Sequence, residues 1–155
     1  MHEVHKYKTV NGDTGERKIK LFQNEKEILQ GMNISLESIA TIRRLLKGLS
    51  VDAFLDNKSI IDQCAVNYMV IGNQMAMLDD SLKSNRAMET AYGARNMIAH
   101  WYRTPSYNNG TLWKDLIEDL DYLEDGCKAI IEKINAKEIV MVENRKRKRR
   151  GLFGY

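Results

Sequence analysis

Residues 112–134 read LWKDLIEDLDYLEDGCKAIIEKI, and the spacing of their apolar members is that of an amphipathic helix. Leu112, Leu116, Leu120, Leu123, Cys127, Ile130 and Ile134 recur at steps of three and four, which places them on one stripe, while acids stud the other positions. The pattern is long enough that the helix is expected to run past Ile139 before giving way to a basic tail. Upstream, Ile60, Cys64, Tyr68, Ile71, Met75 and Leu78 repeat the same steps. From about Asn24, Met32, Leu36, Ile39 and Leu46 define a further stripe, ending around Gly48. Ser50 is placed to cap a short turn carrying Val51, Phe54 and Leu55. A fourth long helix is expected from about Ala87 through METAYGARNMIAH, broken by the Pro, Asn and Gly of RTPSYNNGT at 103–111. Four long helices plus a short one, without repeats or linkers, predict an all-α antiparallel helical bundle whose stripes meet in the core.

The ends differ from the middle. Residues 1–20 form a polar extension in which VNGDTGE separates two alternating segments, the chemistry of a small β-hairpin or of a frayed leader. Residues 21–143 make the helical domain, and 144–155 a basic C-terminal tail. That tail holds Arg145, Lys146, Arg147, Lys148, Arg149 and Arg150, six of the 24 basic residues. The other 18 face 21 acids, so the net charge of +3 comes from the tail. Such a block is either a solvated end or an arm for RNA or another polyanion.

At 155 residues the chain is one domain's worth. No apolar run approaches the roughly 20 residues of a membrane span. The polar first residues are unlike a secretory signal. Cys64 and Cys127 fall within apolar stripes, so buried thiols in a cytoplasmic protein are expected rather than a disulfide. There is no Gly-rich phosphate loop, CxxC pair or nucleophile elbow, and no cofactor is expected. His2 and His5, three apart near the start, carry little weight as metal ligands, and no metal site is assigned. Asp79, Asp80, Asp119 and Asp121 are expected on solvated faces. Trp101 and Trp113 are expected to pack, at a dimer seam, rather than to stack on bases.

One stretch stands apart. Residues 95–102, RNMIAHWY, combine a permanent cation at Arg95, an imidazole at His100 and a phenol at Tyr102 near a helix end. Five residues separate Arg95 from His100 by roughly 7.5 Å along a helix axis and ~140° around it. Arg95 and Tyr102, seven apart, would share a face within about 20° if the helix persisted. Arginine and histidine suffice for metal-free RNA cleavage: the imidazole moves the proton of the 2′-hydroxyl or the leaving oxygen, and the guanidinium holds the phosphate. One histidine does not readily act as base and acid together, whereas a two-fold interface supplies two of each group. The bland alternative is that Arg95 and His100 merely complement the negative end of a helix.

RNMIAHWY fits R-x-x-x-x-H-x-Y, and with its flanks LLKGLSVDAFLDN, NYMVIGNQMAML and LWKDLIEDLDYL it resembles the HEPN superfamily, in particular HepT-type toxins. The resemblance spans residues 35 to 134. It implies a helical homodimer with paired motifs lining a cleft, and an RNA-cleaving activity carried by Arg95 and His100. It implies a supporting role for Asn96 in orienting phosphate or histidine. It further implies an MntA-like nucleotidyltransferase antitoxin that neutralises the toxin by transferring AMP to Tyr102. The family often has Gly-Glu in its third helix where this chain has Gly72 followed by Asn73. The contrasting expectation is a non-catalytic helical module serving as scaffold for a nucleotidyltransferase.

Overall fold

The structure, a computed structural model, describes residues 2–8, 14–101 and 107–137, with the backbone alone for 2–8, 14–18 and 101. Strands β1 (His2–Lys8) and β2 (Thr14–Lys20) pair antiparallel, His2 opposite Lys20 and Lys8 opposite Thr14. Helices α1 (Glu25–Leu46), α2 (Val51–Leu55), α3 (Lys58–Met77), α4 (Arg86–Trp101) and α5 (Asn109–Asn135) follow, with a single 3-10 turn at Asp80–Leu82 before α4. Four long helices and a short one make an all-α bundle, to which the hairpin is an appendage.

Local chemistry sets where the helices start. Each long helix begins after an asparagine whose side-chain oxygen accepts from the amide three residues on: Asn24 from Glu27, Asn57 from Ile60, Asn85 from Met88 and Asn108 from Thr111, at 2.9–3.1 Å. Each such cap contributes roughly 1 kcal/mol by satisfying an amide that has no partner within the helix. Ser50 does the same for α2, accepting from Ala53 at 3.1 Å. Gly48, at φ 74, takes the left-handed turn beyond α1 that a side chain would resist.

The bundle closes chiefly through the pairs of α1 with α3 and α5 and of α4 with α3 and α5, with a smaller contact between α3 and α5. The Phe22 amide donates to the Met77 carbonyl at 2.9 Å, so the start of α1 lies beside the end of α3 and the two run antiparallel. Arg43 reaches Asp121 and Glu124, tying α1 to α5. Every member of the 112–134 stripe is buried, as are Cys64, Tyr68, Ile71, Met75 and Leu78. Full burial of one such aliphatic side chain contributes about 1.5–3 kcal/mol, so these stripes dominate the stability of the bundle. Burial pushes the thiol of Cys64 up to about 11 and that of Cys127 up to about 12; both are free, protonated and inert.

Two expectations change. Helix α5 ends at Asn135 rather than continuing past Ile139: the Ala136 amide folds back onto the Glu132 and Ile134 carbonyls, and Lys137 adopts a positive φ of 64. The segment 103–111 is not all loop, because Asn108 caps α5 and Asn109, Gly110 and Thr111 are already helical. In α2 only Phe54 is buried, while Val51 and Leu55 are each 41% exposed, since five residues offer one inward position. Trp113 packs within the chain, against Phe54 at 5.0 Å between ring centroids. Among the described residues no helix is long and apolar enough to cross a membrane.

Candidate functional site

Helix α4 carries the candidate residues, and its wheel explains their placement. Met88, Ala91, Arg95 and Ile98 recur at steps of three, four and three, so Arg95 occupies a position of the buried stripe where an apolar residue is ordinary. Met88, Ala91 and Ile98 are buried, and Arg95 is half-buried. Space for its stem comes from α3. A β-carbon on Gly72 would lie 2.5 Å from Arg95 Cβ and 2.8 Å from the Ala91 carbonyl oxygen. The absent side chain therefore lets the two backbones approach and brackets the arginine between them.

Beyond that bracket, Arg95 Nη1 donates to Asn96 Oδ1 at 3.0 Å. Asn96 is only 5% exposed. Its Nδ2 and the Nε of Arg95 are buried donors without a partner among the described residues. Buried N–H groups of this kind are rare, because an unmade bond costs about 1–3 kcal/mol each. Two of them on adjacent residues form a donor set suited to an oxyanion such as a phosphate or carboxylate. The resemblance implied that Asn96 orients phosphate or histidine; the partner the structure gives it is Arg95.

His100 sits in the last turn of the same helix and is exposed. Helical geometry turns it ~140° from Arg95. The two side chains thus leave α4 in different directions, one into the α3 contact and one into solvent. Tyr102 lies outside the described residues, as do Arg145, Lys146, Arg147, Lys148, Arg149 and Arg150.

Of the carboxylates expected on solvated faces, Asp79, Asp80 and Asp121 are exposed and Asp119 is half-buried. Asp79 accepts from the Ser81 amide at 3.1 Å, and Asp80 pairs with Lys83 at 2.7 Å. Asp119 accepts from the Tyr68 hydroxyl at 3.2 Å, and Asp121 pairs with Arg43. Asp115 accepts from the Tyr107 hydroxyl at 2.8 Å. The Tyr–Asp pairs were invisible in the sequence, where their members lie 51 and eight residues apart. The spacing of Asp115 and Asp119, one helical turn on α5, was the available signal. Asp115, Glu118 and Asp119 also line a groove of ≈ 680 Å³ between α4 and α5, opposite Arg86 and Thr90. Burial raises the carboxyls of Asp115 and Asp119 above the ordinary range, against the opposing pull of their tyrosine bonds.

Compared with models of known families, with characterised proteins and with solved structures, the chain gives no match.

Proposed function

We propose that this chain is a metal-independent endoribonuclease of HEPN type, the toxin of a toxin–antitoxin pair, acting as a homodimer. The observation that carries this reading is the pair of buried donors, Arg95 Nε and Asn96 Nδ2, without a partner among the described residues and on the same helix as the exposed His100. In this reading Arg95, steadied by Asn96, holds the scissile phosphate and stabilises the charge that builds on its oxygens in the transition state. One His100 takes the proton of the 2′-hydroxyl as that oxygen attacks phosphorus. The His100 of the second copy gives a proton to the departing 5′-oxygen, leaving a 2′,3′-cyclic phosphate and a free 5′-hydroxyl.

The ~140° between Arg95 and His100 is why two copies are invoked: a single helix aims the two groups apart. Val66, 60% exposed on α3, and the partly buried Met97 on α4 supply apolar surface for such a contact. Tyr102, two residues beyond His100, is the proposed acceptor of AMP from an MntA-like nucleotidyltransferase. The added phosphate would bring bulk and negative charge to the place where the RNA phosphate binds. The basic run 145–150 is a candidate arm for the RNA backbone.

The test is cleavage of total RNA by purified full-length protein, with size measured in parallel. Cleavage that survives chelation and is lost in His100→Ala supports the reading; equal cleavage by parent and His100→Ala defeats it. The second reading, a non-catalytic scaffold for a nucleotidyltransferase, draws on the same divergence of Arg95 and His100. Toxicity on expression that disappears in Arg95→Ala excludes it, and absence of toxicity in the parent favours it.

A further inference from the structure

Charge divides between the hairpin and the helices. Residues 1–20 hold five basic and three acidic residues, whereas 21–144 hold 13 basic and 18 acidic ones. Strand register then arranges the cations of the hairpin. Lys20 stands opposite His2, Lys18 opposite Val4, Lys6 opposite Glu16 and Lys8 opposite Thr14. Directly opposed residues share a face of an antiparallel pair, as do residues two apart on one strand. All four lysines therefore occupy one face, and Arg17, opposite His5, occupies the other together with Ile19. No lysine stands opposite another. Along the ribbon the order is Lys8, Lys6, Lys18, Lys20, each two residues beyond the last, with the row crossing from β1 to β2 at its middle. Such a row repeats every ~6.8 Å and runs about 20 Å from the turn toward the bundle.

The bundle end of the ribbon sets which face looks outward there. Strand β2 rests against α3; Ile19 is half-buried and Leu21 buried, while Lys20 between them is exposed. For the fold alone the row is a liability, because like charges on one face repel and only Lys6 has an acid opposite. Lysines on a two-stranded ribbon also discourage edge pairing, but that use requires no common face. An even row of cations suits a partner whose anions repeat at a similar step, as the phosphates of an extended, unpaired nucleic-acid strand do. An anionic lipid surface favours apolar and aromatic side chains beside the cations, and Val4 is the sole apolar residue on this face.

We propose that the hairpin face carrying Lys8, Lys6, Lys18 and Lys20 is a docking surface for the phosphate backbone of single-stranded RNA. The lysines read no base; they hold the strand by charge and displace its counterions. The choice of RNA rests on the ribonuclease reading, whereas the phosphate contact does not.

The experiment measures, by fluorescence anisotropy, binding of a short labelled 2′-O-methyl RNA, which keeps the phosphates and lacks the hydroxyl that cleavage needs. Full-length parent is compared with Lys18→Gln, Arg17→Gln and two fourfold variants in which Lys6, Lys8, Lys18 and Lys20 are all changed to Gln or all to Arg. The basic run 145–150 is present in each, so differences belong to the hairpin. The slope of log affinity against log salt should be shallower by about 2.8 in the fourfold Gln variant and by about 0.7 in Lys18→Gln. Between about 50 and 200 mM salt, the parent should thus lose roughly 50-fold more affinity than the fourfold Gln variant does. The fourfold Arg variant should keep the parental slope. So should Arg17→Gln, which removes the same charge from the opposite face. Melting temperatures should be parental throughout, separating lost contacts from lost fold. An unchanged slope in the fourfold Gln variant, or equal losses in Lys18→Gln and Arg17→Gln, would overturn the surface. Tighter lysine-dependent binding of phosphatidylserine vesicles or of duplex RNA than of the single strand would overturn the choice of partner. If the parent cuts no RNA yet binds the oligonucleotide through these lysines, the ribonuclease reading falls and the surface stands. If it cuts RNA and the fourfold Gln variant binds as the parent does, the surface falls and that reading stands.

Discussion

The two halves of α4 are built on different terms. Its first half, from Ala87 to Ala91, presents Met88 and small residues to the core, with Met88 seated against Gly126 of α5 so closely that a β-carbon there would collide with its sulfur. Its second half keeps the same stripe but places Arg95 in it, and follows with Asn96 and an exposed His100. The first half buries Ala87, Met88 and Ala91 in the core. The second retains buried donors without a partner among the described residues. A helix selected for stability alone has no reason to change terms halfway, and the proposed ribonuclease reading draws on that change.

That contrast can be broken by substitution. The largest effect is expected from His100→Ala: RNA cleavage should fall by about 10²–10⁴-fold, the usual contribution of a positioned acid or base. Its exposed side chain should leave the unfolding free energy within about 0.5 kcal/mol of parent. Met88→Ala should do the reverse, costing about 2–5 kcal/mol in denaturant unfolding while cleavage per folded molecule stays at parental level. A loss of specific activity in Met88→Ala would blur the two halves into one. Gly72→Ala tests the seam between them, because the new β-carbon must push α4 away at Arg95. It should cost about 1–3 kcal/mol and lower cleavage as well, and unchanged cleavage would show that the arginine does not need its bracket.

The smallest effect is a dependence on pH. Asp115 is a carboxyl whose burial raises it above the ordinary range. Its native form therefore holds its proton more tightly than the unfolded chain does. This contribution favours folding at pH below the ordinary carboxylate value and is lost as pH rises through the raised one. Asp115→Asn should thus melt slightly higher than parent at pH 7, with the gap closing toward pH 4. A gap that widens on acidification would contradict the assigned direction.

Much of the fold was legible because its signals are local and repeated. The stripe of Leu112 through Ile134 and that of Cys64 through Leu78 are buried as their spacing predicts. The end of α5 was missed for the opposite reason: apolar residues continue to Ile139, but the turn at Lys137 comes from backbone bonding that periodicity does not register. Trp113 found its partner in Phe54, nearly sixty positions away, where no pattern within one helix could have joined them.

The sequence by itself determined the helical class, the Ser50 cap and the presence of Arg95, Asn96 and His100 on one helix, since each depends on neighbours within a turn or two. Tertiary structure decided that Arg95 is bracketed by Gly72, that its donors are buried without partners, and that Tyr107 and Tyr68 end on adjacent turns of α5. Those outcomes depend on how closely two helices approach and on which buried polar atoms find a partner. Spacing along one chain sets which face a residue occupies; only packing between chain segments sets what that face meets.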